Sequence, residues 1–243
     1  MYGSVQLTTT DVTYASSGLW YKAPVFIRGF QTSFTFQLSN RGLPDSAHGI
    51  VFLIQNDGAG TQASGGVAAG LGYGSPDPTE FTGIKNSFAV EFDCIGNPEM
   101  GDPAAIHVSL HTRGKDYNSA HEHFSLRNYT AVADFCGGSS QTTVQITYEP
   151  GFLTLSISPI VSPIFDKFPV SVETSLALQA FGTGYIGFTA STGSNSALQE
   201  LLSWSYQSCE SLRCSPYFHH PHQFSRHGCF SGKICGSQLQ DFW

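Results

Sequence analysis

Short runs of alternating or β-branched and aromatic residues recur along most of this chain, divided by Gly, Pro, Asn and Ser, and they restrict its fold more than any other feature. The runs are Val25 to Ile27, Thr32 to Leu38, Ile50 to Gln55, Ser87 to Asp93, His107 to His111, Thr142 to Tyr148, Phe152 to Ile157, Tyr185 to Ala190 and Leu202 to Tyr206. Only Val172 to Leu178 reads as a short helix or turn, too brief to form a second layer. Many strands without intervening helices predict an all-β domain, two antiparallel sheets packed face to face. A chain of 243 residues can enclose one sizeable core, and sandwiches of this length commonly form one domain.

Charge narrows the function classes. A net charge of -7 with 11 basic residues leaves no patch able to track a phosphate backbone, so nucleic acid is not an expected partner. No apolar run reaches the roughly 18 residues of a membrane span. No charged start followed by an apolar stretch marks a signal peptide.

The chemistry concentrates between Ala89 and His107. Glu91, Asp93, Ile95 and Asn97 are all odd-numbered, so an extended segment puts their side chains on one face. Asp102 follows on the return loop, and His107 opens the next alternating run. Oxygens from Asp93, Asn97, Asp102 and a backbone carbonyl suit calcium; adding Glu91 and His107 suits manganese or another transition ion. Crowded carboxylates repel one another, and a cation makes such a cluster stable. The plainer alternative makes these residues ordinary loop polars, with Glu91 on a strand surface and His107 hydrogen-bonded locally.

The spacing Glu-x-Asp-x-Ile-x-Asn-x4-Asp-x4-His resembles the metal motif of the legume-type (L-type) lectins at every ligand offset. Similar blocks follow in the family's order: Leu19 to Val25, Phe30 to Phe36, His48 to Asn56, Gly70 to Gly74, Gly187 to Gly193 and Ser203 to Tyr206. Ile54-Gln55-Asn56 and His111-Thr112-Arg113-Gly114 look closer to bacterial and other non-plant secreted variants than to seed lectins. The resemblance implies a concanavalin-like jelly-roll sandwich. It also implies a transition ion on Glu91, Asp93, Asp102 and His107, and a calcium on Asp93, the Ile95 carbonyl, Asn97 and Asp102. The two ions would lie about 4 Å apart, sharing Asp93 and Asp102.

The implied function is non-catalytic binding of glycans or glycoproteins, with self-association left open. Lectins of this kind build the sugar site from an Ala-Asp-Gly turn, a glycine amide, the calcium-ligand Asn and an aromatic ring. Here Asn97 is in place, and Gly66 and Gly70 within Gly65 to Gly70 can supply an amide. The resemblance also puts Ser194 and Asn195 at this site. Two positions depart from the pattern: the turn reads Ala47-His48-Gly49, and Ile95 occupies the ring position. An imidazole replaces an acceptor-only carboxylate, and the flat stacking face is lost. The family's cis peptide in this turn predicts a cis Ala47–His48 bond, with the imidazole pointing into a shallow site beside Asn97 and the Gly65 to Gly70 loop. The rival from another class is a structural or adhesive surface module that keeps the scaffold with a degenerate sugar site.

Laminarinase-like glycoside hydrolases on a similar sandwich use Glu-x-Asp-x-x-Glu, which Glu91-Phe92-Asp93 begins. The second glutamate falls on Gly96, so the carboxylate pair about 5 Å apart of a retaining hydrolase cannot form there. No enzyme activity is expected.

The sandwich is expected over residues 1–208 and a short Cys/His-rich tail over 209–243. Cys209, Cys214, Cys229 and Cys235 suit two bridges in a secreted chain, whereas His219, His220, His222 and His227 beside them allow zinc or disorder. Cys94 and Cys136, inside the sandwich, are either paired or buried thiols. Family domains usually carry a strand before the block matched by Val5 to Thr8, so the start reads as truncated. Asn128-Tyr129-Thr130 is a glycosylation sequon, compatible with an extracellular or cell-surface location.

Overall fold

A computed structural model describes residues 4–39, 47–77, 79, 81–130, 134–137, 141–160, 162–176, 182–211 and 233–239. Its strands are β1 (Val5–Thr8), β2 (Ser16–Trp20), β3 (Val25–Phe26), β4 (Phe30–Ser39), β5 (Ala47–Gln55), β6 (Ser87–Asp93) and β7 (His107–Thr112). They continue with β8 (Ser125–Tyr129), β9 (Thr142–Glu149), β10 (Phe152–Ser158), β11 (Phe165–Pro169), β12 (Thr183–Thr192), β13 (Leu198–Ser211) and β14 (Lys233–Leu239). A single helical turn, α1, spans Val172–Ser175. The back sheet runs β1-β13-β4-β9-β10-β11 with β14 added to β13, and the front sheet runs β2-β12-β5-β6-β7-β8 with β3 added to β12. Every described pairing between these strands is antiparallel, as expected for the sandwich.

The alternation in β4 explains how the back sheet faces its partner. Phe30, Phe34, Phe36 and Leu38 point inward while Gln31, Ser33 and Thr35 face out. Phe34 meets Phe52 and Phe92 of the front sheet with ring centroids 5.8 and 5.9 Å apart, and Phe188 at 4.9 Å. Edge-on and offset rings at these separations add attraction beyond the area they bury.

The front sheet is buried on both faces, which is why β5, β6 and β7 are enclosed over nearly their whole length. Even-numbered Ile50, Phe52, Ile54, Phe88, Val90, Phe92, Val108 and Leu110 join the core between the sheets. Odd-numbered Val51, Leu53 and Ala89 pack on the other side beneath Leu71, Tyr73, Ile84, Met100 and Ala120, which come from loops. Glu91, Asp93, His107 and His111 share the parity of that second face and lie under the same loops.

Cys94 and Cys136 form a disulfide with Cα atoms 5.7 Å apart. It joins the residue directly after β6 to segment 134–137. The Cys-rich segment contributes β14, which the sequence pattern did not reveal; its ladder sets Cys235 opposite Cys209. Cys214, Cys229 and the four tail histidines lie outside the described residues.

Candidate metal and carbohydrate site

Strand β6 delivers Glu91 and Asp93, and β7 returns His107 opposite Asp93 in register. The extended run ends at Asp93, so Ile95 and Asn97 belong to the connecting loop rather than to a continued strand face. That loop is held by its own polar groups. The Ile95 amide donates to Asp93 Oδ1 at 2.7 Å, the Asn97 amide to Asp102 Oδ2 at 3.0 Å, and the Met100 amide to the Asn97 carbonyl at 2.9 Å. Gly101, at φ 75°, supplies the left-handed turn that brings Asp102 back toward Asn97. Gly49, opposite Asp93, allows the close approach of β5; a Cβ there would sit 2.2 Å from the Phe92 carbonyl oxygen.

Glu91, Asp93 and His107 each offer a ligand atom, and these atoms lie within 4.8 Å of one another. All three side chains are buried, which excludes the reading of Glu91 as a surface strand residue. The His107 tautomer is set by geometry. Its Nδ1 lies 3.1 Å from the Ala105 carbonyl and must donate to it, so Nε2 carries the free lone pair. That Nε2 is buried, makes no hydrogen bond and faces Glu91 Oε1 at 3.9 Å. Asn97 Oδ1 is likewise buried without a hydrogen-bond partner. This donor set fits divalent cations: hard oxygens, one neutral imidazole nitrogen and the Ala105 carbonyl that orients the ring.

Electrostatics agree with the geometry. Burial, and then the neighbouring Asp93 charge, hold the Glu91 carboxyl well above its ordinary range, although the Tyr73 hydroxyl donates to its Oε2 at 2.6 Å. Burial raises Asp93 in the same way, and Asp102 is pushed up to about 6, mainly by burial. Burial lowers His107, keeping the ring neutral and able to ligate.

Three participants escaped the sequence reading. Tyr73 reaches Glu91 from the Gly-rich loop. His111 is two turns of the pleat beyond His107 on the same face of β7, with Nε2 4.0 Å from Glu91 Oε2. Glu122 sits in a 3-10 turn, Glu122–Phe124, and forms a second group with Asp102 and His107, again with ligand atoms within 4.8 Å. The parity of His107 and His111 was a usable signal; the spacing of Glu122 was not.

The residues expected at a sugar site differ in exposure. Ile95, Asn97, Gly66 and Asn195 are half-buried, Ser194 is exposed and Gly70 is buried. The Gly-rich loop is bound to β12 through Ser191 Oγ to the Ala68 carbonyl at 2.7 Å and Thr189 Oγ1 to the Leu71 carbonyl at 2.9 Å. It also adjoins the start of β5, because a Cβ on Gly49 would lie 3.1 Å from Leu71. His48 departs from expectation twice. Its ring is 1% exposed and therefore does not open into a shallow pocket. The Ala47–His48 peptide is trans, and the one cis bond among the described residues is Ser158–Pro159. A bulge against Thr192 and the Cys94 amide's bond to the His48 carbonyl at 2.9 Å seat the turn inside the sheet instead. Asn128, in the sequon, is exposed on β8, and its amide donates to Glu122 Oε1.

An antiparallel jelly-roll sandwich carrying an acidic, histidine-capped loop at one end of the front sheet defines a lectin-like binding domain. Residues 2–215 match the legume lectin domain model, and the chain belongs to that family. A lectin from Leucomphalos mildbraedii is 29% identical over 192 residues, 78% of this chain and 72% of that protein. Among solved structures, the Bauhinia forficata lectin in complex with GalNAc superposes with a TM-score of 0.66 at 24% identity, covering 84% of this chain and 86% of that one. The VIP36 exoplasmic/lumenal domain, in a form bound to calcium and Man3GlcNAc, gives 0.60 at 18% identity, covering 88% and 81%. Family membership makes this a carbohydrate-binding protein and not an enzyme, in keeping with Gly96 where a hydrolase would need its second glutamate.

Proposed function

We propose that the chain binds glycans through a loop set by two metal ions, and that it works in the secretory lumen, outside the cell or at its surface. The observation that carries this reading is the fully buried group Glu91, Asp93 and His107, with His107 Nε2 turned toward the carboxylates and making no hydrogen bond. Glu91, Asp93, Asp102 and His107 would hold a transition ion such as manganese. Asp93, the Ile95 carbonyl, Asn97 and Asp102 would hold calcium. When bound, the cations neutralise the crowded carboxylates and fix the loop. The chain itself then presents the Asn97 amide, with Gly66, Gly70, Ser194 and Asn195 as the surrounding candidates for glycan contact.

Kinship with bacterial and other non-plant variants rests on the Ile54-Gln55-Asn56 and His111 to Gly114 blocks alone. Residues 209–243 are proposed as a tail stapled by disulfides, β14 being its point of attachment to the back sheet.

A specific observation favours the adhesive-module alternative: His48 is enclosed and Ile95 replaces a stacking ring, so two parts of the usual sugar grip are changed. Glycan-array binding before and after chelation separates the readings. Binding that disappears with chelator and returns with calcium plus manganese supports a lectin; no glycan binding under any metal condition supports the module.

A further inference from the structure

We propose that Glu122 is an additional protein ligand of the transition ion, converting the four-residue set expected from the motif into a five-residue one. The proposal rests on the metal reading above and extends it to a residue outside the motif. The donor atoms of Asp102, His107 and Glu122 lie within 4.8 Å of one another, as do those of Glu91, Asp93 and His107, and His107 is common to both groups. His107 thus belongs to both groups, and an ion held there would draw on the carboxylates of each. The independent pointer is His107 itself: its side chain is 0% exposed, its Nδ1 is committed to the Ala105 carbonyl, and its Nε2 makes no hydrogen bond.

Glu122 is positioned as a ligand would be. Asn128 Nδ2 donates to its Oε1, and Ser109 Oγ donates to its Oε2 at 3.2 Å, so both oxygens are oriented and each retains a lone pair. The 3-10 turn is anchored at its start, where the His123 amide donates to His121 Nδ1 at 3.1 Å. His111, also 0% exposed, places Nε2 3.6 Å from Glu122 Oε2 and 4.0 Å from Glu91 Oε2. Both separations exceed a hydrogen bond. His111 Nε2 thus lies near both Glu91 and Glu122 without a hydrogen bond to either. Four carboxylates and one imidazole form a hard, strongly anionic sphere suited to a divalent ion such as Mn2+. A fifth protein donor also displaces a water molecule from that ion.

The test titrates calcium-saturated protein with Mn2+ alone, reading free Mn2+ by electron paramagnetic resonance and bound water by proton relaxation. Circular dichroism confirms that each variant is folded. Glu122→Gln is expected to weaken Mn2+ binding on the order of tenfold or more and to raise the relaxation enhancement per bound ion, since water replaces the carboxylate. Glu122→Asp keeps the charge but shortens the reach, so ligation expects weaker binding there too, whereas a distant electrostatic influence expects none. Wild-type affinity and relaxation in both variants overturns the role of Glu122 while leaving the four-residue site intact. Wild-type protein that takes up no Mn2+, or a Glu91→Gln variant that binds as wild type does, overturns the underlying metal reading as well.

Discussion

His107 shows how much one side chain can determine. Its β7 position and its bond to the Ala105 carbonyl select the tautomer, and the tautomer aims the remaining lone pair at Glu91. Asp93, on the adjacent strand, is the residue proposed to serve both ions. Asp93→Ala is therefore expected to abolish binding of both, whereas Glu91→Ala mainly weakens the transition site; calorimetric titration with each metal distinguishes the two. Sequence spacing singled out these residues because a strand alternates faces and the loop offsets match the motif. It did not show Tyr73, whose hydroxyl arrives from a loop eighteen residues away, or the enclosure of His48, which depends on a bulge opposite β12.

Strands legible in the sequence were those with a buried face on at least one side. The continuous apolar pattern of β5 to β7 reflects packing against the core on one face and against loops on the other. β8 and β11 were missed because they are sheet-edge strands whose residues are largely exposed, and Pro169 ends the latter. The Cys94–Cys136 disulfide tethers the residue that follows Asp93 and closes a loop with sequence separation 42. Replacing both cysteines with serine is expected to lower stability by about 4 kcal/mol, on the chain-entropy estimate, and to weaken metal binding by freeing the loop's first residues. Denaturant unfolding with and without added metal measures both effects. In the tail, the four cysteines are expected to form two bridges, and the described ladder sets Cys209 opposite Cys235. Non-reducing peptide mapping should find two bridges; four free thiols binding zinc would contradict them.

At the scale of the whole molecule, the core stabilises the sandwich and the carboxylate group works against it. Phe34→Ala, at the centre of the aromatic contacts, is expected to destabilise by about 3–5 kcal/mol. Glu91, Asp93 and Asp102 have folded-state values raised above their ordinary ones, Asp102 to about 6. The metal-free folded state therefore holds protons that the unfolded state has released, and stability falls as pH rises from the ordinary carboxylate range through the raised values. In chelator, the melting temperature should decrease as pH rises from the ordinary carboxylate range through about 6, where Asp102 loses its proton. Calcium and manganese should reverse most of that loss, since an ion at about 100 times its Kd adds about 2.7 kcal/mol.

Metal dependence of glycan binding is tested most directly by elemental analysis of protein purified without chelator, paired with glycan titration of the same sample. The expected result is one calcium and one transition ion per chain, with glycan affinity lost when both are stripped and regained when both are returned. Metal-free protein that is fully folded and binds glycan with undiminished affinity would contradict it.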